Sequence, residues 1–154
     1  MPGADRFFVD TNVLLYSLDA SHPGKQRAAR LWLDALWQNG AGVLSWQVLN
    51  EFYVNAVRKA RASKKLARQL TEDYAQWRCP EMTIGLIRRA WHWTDHAQLS
   101  FWDSLILAAA ERMDCAWLLS EDFQSGRRFG SVTVLSPFQS SPADFDLHPK
   151  SHNR

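Results

Sequence analysis

The sequence FFVDTNVLLY, residues 7–16, places an aspartate where an apolar run gives way to a helical pattern. Residues 6–9 predict a short buried strand, and residues 11–18 predict a helix. Asp10, between the two, has two explanations. Aspartate is a favoured cap for a helix N-terminus. It is also a carboxylate just beyond the end of a strand, which is where open α/β sheets bind ligands.

Short apolar stretches alternate with helical patterns along the rest of the chain. Further strands are predicted at residues 41–45, 116–120 and 132–136, and further helices at 22–40, 46–60, 64–78, 83–93 and 100–113. Alternation of this kind is typical of a parallel sheet covered by helices on both faces. The sequence therefore predicts an α/β fold, a three-layer α/β/α sandwich with a short parallel sheet.

The composition of the chain bounds its class. A length of 154 residues with 46% hydrophobic residues indicates one folded domain rather than a disordered chain. The net charge of +2 neither requires nor excludes a nucleic-acid partner. Two cysteines in no metal-like spacing fit a reducing cytoplasm. No signal peptide and no apolar run of roughly 20 residues is present, so we expect a cytoplasmic protein without a membrane partner.

The composition changes at Ser140, after which Ser, Pro, His and charged residues dominate. This change predicts a folded domain over residues 1–139. Residues 140–154 are predicted to form a C-terminal tail, either packed late or mobile.

Three further acidic residues lie just after a predicted strand or within the first two turns of a predicted helix. Glu51 lies about two turns into the helix after GVLS, Asp103 lies in the first turn of SFWDSLILAAA, and Asp122 follows AWLLS. Each also has an ordinary explanation. Glu51 suits a solvated stripe along its helix. Asp103 occupies the last position of a sequence close to a capping box, and Asp122 suits a turn.

Taken together, the acidic residues are harder to explain as surface charges. The helix after Asp103 is almost entirely apolar, so it must be buried. Several carboxylates at one edge of a sheet repel one another unless they are protonated or paired. The flanking motifs hold no Lys or Arg. A divalent cation would resolve the repulsion, and ligands that are all oxygen favour Mg²⁺ or Mn²⁺ over zinc.

The segments FVDTNVLLY, LNEFYV, SFWDSLILAAA and LLSEDFQSG resemble the acidic motifs of the PIN domain, most closely those of VapC-type toxins of bacterial toxin–antitoxin pairs. The resemblance runs from about residue 6 to 138. It implies that Asn12 and Ser120 support a catalytic, metal-binding quartet. The quartet falls on Asp10, Glu51, Asp103 and Asp122. One departure is Ser125, where the family often has histidine.

The resemblance implies a Mg²⁺-dependent endoribonuclease, with Mn²⁺ as a substitute, that cleaves RNA phosphodiester bonds by metal-activated water. It also implies a cognate antitoxin and a homodimer. Two alternatives stay open. One is a PIN-fold protein that binds RNA without cleaving it. The other is a phosphatase-like hydrolase on a doubly wound sheet with Asp10 as nucleophile, although Asn12 stands where a second aspartate is expected.

Two other features admit more than one interpretation. The stretch VRKARASKKLAR, residues 57–68, carries six basic residues and no acidic one. It either contacts RNA phosphates or forms a solvated helical face. His92 and His96 have the spacing of a helical metal pair, but the sequence offers no evident third ligand.

Overall fold

The computed structural model describes residues 5–149. Within this range a five-stranded sheet forms the centre of the molecule. Its strands are β1 (Phe7–Val9), β2 (Gly42–Val43), β3 (Trp117–Leu119), β4 (Arg128–Phe129) and β5 (Val132–Leu135). Their order across the sheet is β2-β1-β3-β5-β4. Strands β2, β1, β3 and β5 run parallel to one another, and β4 pairs antiparallel with β5 at the edge of the sheet.

Six helices surround the sheet. They are α1 (Thr11–Tyr16), α2 (Pro23–Asn39), α3 (Trp46–Arg58), α4 (Lys64–Tyr74), α5 (Ile84–Ala97) and α6 (Phe101–Arg112). A hydroxyl side chain caps each of the last four, accepting a backbone N–H in the first turn. All three residues of β1 are fully buried, as expected for a strand covered on both faces. The predicted α/β class with a mainly parallel sheet is confirmed.

Some element boundaries differ from the prediction. Helix α4 ends at Tyr74 rather than at residue 78, because the chain turns to pair with β2: Leu44 N donates a 3.0 Å hydrogen bond to the carbonyl of Arg78. Helix α5 continues to Ala97 instead of ending at residue 93. Strand β4 was not predicted, because a two-residue strand with an exposed arginine carries no apolar pattern.

The beginning of the predicted tail packs against the domain. A short 3₁₀ helix covers Pro142–Phe145, and the Phe145 ring lies 4.9 Å from the Trp117 ring and 5.6 Å from the Phe7 ring. The boundary at residue 139 stays a prediction, and residues 150–154 of the tail lie outside the described range.

The strand register brings two chain segments together at the carboxyl edge of the sheet. Val9 at the end of β1 pairs with Leu119 at the end of β3. The residues that follow, Asp10 and Ser120, are therefore neighbours. No helix among residues 5–149 is both long and apolar enough to cross a bilayer.

Candidate active site

Asp10 is the buried centre of the acidic region, with only 3% of its surface exposed. It caps α1, since its Oδ1 accepts a 2.8 Å hydrogen bond from Thr11 N. Its Oδ2 accepts a 2.7 Å hydrogen bond from the Ser120 hydroxyl. Asp10 therefore caps α1, but capping does not account for its second hydrogen bond, which comes from Ser120 after β3.

Ser120 and Asn12 join the ends of β1 and β3 around Asp10. The Ser120 hydroxyl also accepts a 3.1 Å hydrogen bond from Asp122 N. Asn12 donates through Nδ2 to Asp10 Oδ2 at 3.3 Å and accepts at Oδ1 from Glu121 N, also at 3.3 Å. Both residues thus hold carboxylates and the loop that carries them, as the resemblance implied.

Glu51 is connected to the same region through Thr11. The Thr11 hydroxyl donates a 2.8 Å hydrogen bond to Glu51 Oε2, and Gln47 Nε2 donates a 3.1 Å bond to Oε1. Glu51 is therefore more than a member of a solvated stripe. The sequence reasoning missed Thr11, and its position directly after Asp10 was the one available signal.

Asp103 and Asp122 complete the acidic region. Asp103 lies half-buried in the first turn of α6, where its backbone N–H donates a 3.1 Å hydrogen bond to Ser100 Oγ. Asp122 is exposed and lies three residues after β3 ends. The hydroxyl of Ser104, next to Asp103, accepts a 3.0 Å hydrogen bond from the Thr94 hydroxyl on α5.

The pKa values of Asp10 and Asp103 respond to burial and to the charges of neighbouring carboxyl groups. Burial raises the pKa of Asp10 to about 6, its hydrogen bonds from Ser120 and Thr11 oppose the rise, and the charges of Asp122 and Asp103 add to it. Burial likewise raises the pKa of Asp103, a hydrogen bond with Ser100 opposes this, and the charges of Asp122 and Glu51 add to the rise. Asp103 and Asp122 therefore repel Asp10, and Glu51 and Asp122 repel Asp103.

The donor set fits a hard divalent cation in chemistry and charge. All four side chains offer carboxylate oxygens, which suit Mg²⁺ or Mn²⁺. None of the four forms an ion pair within residues 5–149. The four carboxylates do not converge in a metal-binding arrangement, since the described part of the chain contains no group of three or more His, Cys, Asp or Glu side chains placed to hold a metal.

Glu121 and Asp122 are adjacent but have different partners. Glu121 forms an ion pair with Lys25. Although burial acts to raise the pKa of Glu121, hydrogen bonds from Lys25 and Tyr16 lower it overall. The charge of Asp122 instead raises the pKa values of Asp10 and Asp103. These contacts associate Asp122, rather than Glu121, with the other carboxylates.

The two helical histidines form no metal site in the described residues. Their rings stack with centroids 4.2 Å apart, and His96 Nδ1 lies 2.8 Å from the carbonyl oxygen of His92. That nitrogen is thus occupied by the helix backbone, and no third ligand accompanies the pair.

Comparison with known proteins gives a family match and two similar folds. A model of the PIN domain matches residues 7–128. No curated protein sequence matches the chain significantly. The structure of VapC20 from Mycobacterium tuberculosis, described as a sarcin–ricin loop cleaving toxin, is 21% identical with a TM-score of 0.55, over 75% of this chain and 89% of that chain. A toxin–antitoxin complex from Klebsiella pneumoniae is 17% identical with a TM-score of 0.62, over 88% of this chain and 98% of that chain.

Proposed function

This chain belongs to the PIN domain family, and we propose that it is a metal-dependent endoribonuclease, the VapC-type toxin of a toxin–antitoxin pair. Two solved structures of similar fold support the toxin assignment. One is a toxin described as cleaving the sarcin–ricin loop, and the other is a toxin–antitoxin complex.

The observation that carries the proposal is the electrostatic environment of Asp10. A buried carboxyl with a pKa of about 6 receives hydrogen bonds from two elements and repulsion from two other aspartates. Such an arrangement makes ionised Asp10 unfavourable in the metal-free protein, and it therefore favours binding of a cation. A solely structural cap would not need Asp103 and Asp122 nearby.

In this proposal the quartet holds one or two Mg²⁺ ions, with Mn²⁺ as a substitute. Bound metal would acidify a water molecule and neutralise charge on the scissile phosphate. Ser120 and Asn12 fix the orientation of Asp10, while Thr11 and Gln47 fix Glu51. Above a pH of about 6, Asp10 is mostly ionised and able to act as a ligand.

Partners form the second part of the proposal. The lining of a shallow groove beside Glu51 includes three exposed apolar side chains, Trp46, Met82 and Trp102. Exposed apolar surface of this kind is typical of protein interfaces. We expect a second copy of the chain to cover it, giving a homodimer, and a cognate antitoxin to bind the dimer. Cys79 and Cys115 are free thiols, which suits a reducing cytoplasm, the compartment in which the chain would encounter its RNA substrate.

The test of the proposed activity uses total RNA and a generic phosphate ester as parallel substrates. We expect the purified chain to release acid-soluble fragments from RNA when Mg²⁺ or Mn²⁺ is present, and none in EDTA. The phosphate ester should remain intact. Hydrolysis of the ester without RNA cleavage would favour the phosphatase-like alternative. RNA binding without cleavage under all metal conditions would favour the non-cleaving alternative.

A further inference from the structure

A cleft of about 730 Å³ opens beside Asp122, directly next to the candidate active site. Asn12, Glu121 and Asp122 line it on the side of the sheet edge, and residues 59–61, which follow α3, line it elsewhere. Its volume lies within the ~300–1,000 Å³ typical of ligand sites. Because the cleft shares Asn12 and Asp122 with the acidic region, a molecule in it would extend to the carboxylates.

Two basic residues of the run 57–68 line this cleft, Lys59 and Arg61. All six basic side chains of the run are exposed. None of the six forms an ion pair with any residue of the range 5–149. The run is therefore a surface of unneutralised positive charge, and only part of it faces the cleft.

The backbone that carries Lys59 and Arg61 is held in place. The amides of Lys59 and Ala60 donate to the carbonyl of Asn55 at 2.8 and 3.1 Å, and the amide of Ala62 donates to Ala56 at 2.9 Å. Arg61 has a φ of 55°, a left-handed conformation that is uncommon outside glycine. Stabilisation of the α3 dipole explains a cation at Lys59, but it does not explain Arg61 beyond the helix end.

Three acidic residues line the cleft, and none forms an ion pair with Lys59 or Arg61; Asp122 forms no ion pair with any described residue. Glu121 is occupied by Lys25 and Tyr16. Asp19 accepts a 3.0 Å hydrogen bond from the Ser21 amide and pairs with His22 at 2.8 Å. Lys59 and Arg61 are therefore available to an anion from outside the chain.

The charges along the cleft suit a chain of phosphates. Near Asp122, a phosphate would need an intervening metal cation, whereas near Lys59 and Arg61 it would contact the protein's own cations directly. Leu15 and Leu18 also line the cleft. Apolar side chains of this kind suit the sugars and bases of unpaired nucleotides.

We propose that this cleft binds the single-stranded RNA beside the scissile phosphate, with Lys59 and Arg61 as positioning residues that each neutralise a backbone phosphate. The inference rests on the nuclease function proposed above. It assigns Lys59 and Arg61 to substrate binding and the other four basic residues of the run to the solvated surface.

The test measures binding of a short, labelled single-stranded RNA of mixed sequence at several salt concentrations, in EDTA so that no cleavage occurs. Loss of two phosphate contacts should reduce the slope of log affinity against log salt by about 1.4, from about 0.7 per contact. We expect this for the double variant Lys59→Gln, Arg61→Gln. Between 50 and 200 mM salt, the wild-type affinity should then fall about sevenfold more than that of the variant.

The matched control is Lys64→Gln, Lys65→Gln, which removes the same charge from the start of α4, outside the cleft. This variant should retain most of the wild-type slope. The charge-conserving pair Lys59→Arg, Arg61→Lys should retain it too. With a cleaved RNA, the Lys59→Gln, Arg61→Gln enzyme should show a raised KM and a nearly unchanged kcat.

Equal loss of slope in both glutamine variants would overturn the assignment, because binding would then depend only on general surface charge. An unchanged slope in Lys59→Gln, Arg61→Gln would also overturn it and leave the cleft to a protein partner. Both comparisons of salt slope are made in EDTA, without cleavage. A chain that cleaves no RNA but shows the expected slopes would contradict the nuclease proposal and not the cleft.

Discussion

The Ser120 hydroxyl donates a 2.7 Å hydrogen bond to Oδ2 of Asp10, across the parallel pair formed by β3 and β1. Both side chains are buried. The bond lowers the pKa of Asp10 against the larger opposing effect of burial. Ser120 therefore helps to keep the central carboxylate ionised near neutral pH.

Replacing Ser120 with alanine should shift the pH dependence of RNA cleavage. Without this bond the pKa of Asp10 rises further, so the acidic limb of the profile moves to higher pH. Losing a hydrogen bond to a charged group should also cost about 1.5–3 kcal/mol of stability. The matched control is Ser136→Ala, which removes another buried serine hydroxyl, one that accepts from Phe138 N. Ser136→Ala should leave the pH profile in place, and an unshifted profile in Ser120→Ala would count against this role.

Asp10 should make the metal-free protein less stable as the pH rises. Its pKa is raised from 3.8 to about 6. Between these values the folded state holds a proton that the unfolded state has released, so the free energy of unfolding falls with rising pH and the penalty is complete above about 6. The upper bound is about 3 kcal/mol, from about 1.4 kcal/mol per pKa unit.

The measurement compares denaturant unfolding of wild type and Asp10→Asn in EDTA from pH 4 to 7. The advantage of the asparagine variant over wild type should grow across that range. Saturating Mg²⁺ should remove the pH-dependent penalty in wild type only, because a bound cation favours the ionised carboxylate. A constant difference between the two proteins would show that Asp10 has an ordinary pKa.

Much of the fold could be predicted because its elements are locally encoded. The four parallel strands are short apolar runs, and Ser45 and Ser100 mark helix starts as serine caps do. The end of α4 could not be found in this way, because it depends on the pairing of Arg78 with Val43 in β2 and with Leu44 after it. Such pairing is a long-range contact that local patterns do not report.

The sequence proposed the members of the candidate site but not the hydrogen bonds that connect them. The resemblance to PIN motifs implied that Ser120 supports the carboxylates, and in the structure its hydroxyl donates a hydrogen bond to Asp10. Glu121 and Asp122 both lie beyond the end of β3 at Leu119, so strand alternation does not separate their side chains. What separates the two side chains is the ion pair of Glu121 with Lys25, a residue 96 positions away in sequence.

Asp122→Asn should reduce RNA cleavage far more than Glu121→Gln. The first variant removes a charge that acts on Asp10 and Asp103. We expect a loss of at least about 10–100-fold, the range found for residues that support metal sites. Glu121→Gln breaks a partly exposed ion pair, worth at most about 1 kcal/mol. Initial rates at equal Mg²⁺ distinguish the two, and a larger loss in a folded Glu121→Gln protein would reverse the assignment.

Gly42→Ala should destabilise the fold. Gly42 is buried in β2, and a Cβ there would overlap the indole ring of Trp77. Overpacking of this kind costs about 1–3 kcal/mol. Gly24→Ala, at a position with no neighbouring atom within 4 Å, is the control and should leave stability unchanged or raise it by up to about 1 kcal/mol. Thermal melting of both variants gives the comparison, and equal melting temperatures would contradict the close approach of Trp77.

Asp103→Asn tests the metal-centred account most directly. The change keeps the shape of the side chain and removes one charge from a group that repels its neighbours, so the variant should melt at or above the wild-type temperature. The matched control is Asp95→Asn, an exposed aspartate on α5. Wild type and Asp95→Asn should gain melting temperature with added Mg²⁺, as ligand linkage requires, and Asp103→Asn should gain much less.

The decisive measurement is RNA cleavage by purified, folded Asp103→Asn across a range of Mg²⁺ and Mn²⁺ concentrations, beside wild type and Asp95→Asn. The account predicts that Asp103→Asn releases no fragments at any metal concentration while Asp95→Asn matches wild type. Cleavage at the wild-type rate by a folded Asp103→Asn protein would contradict it.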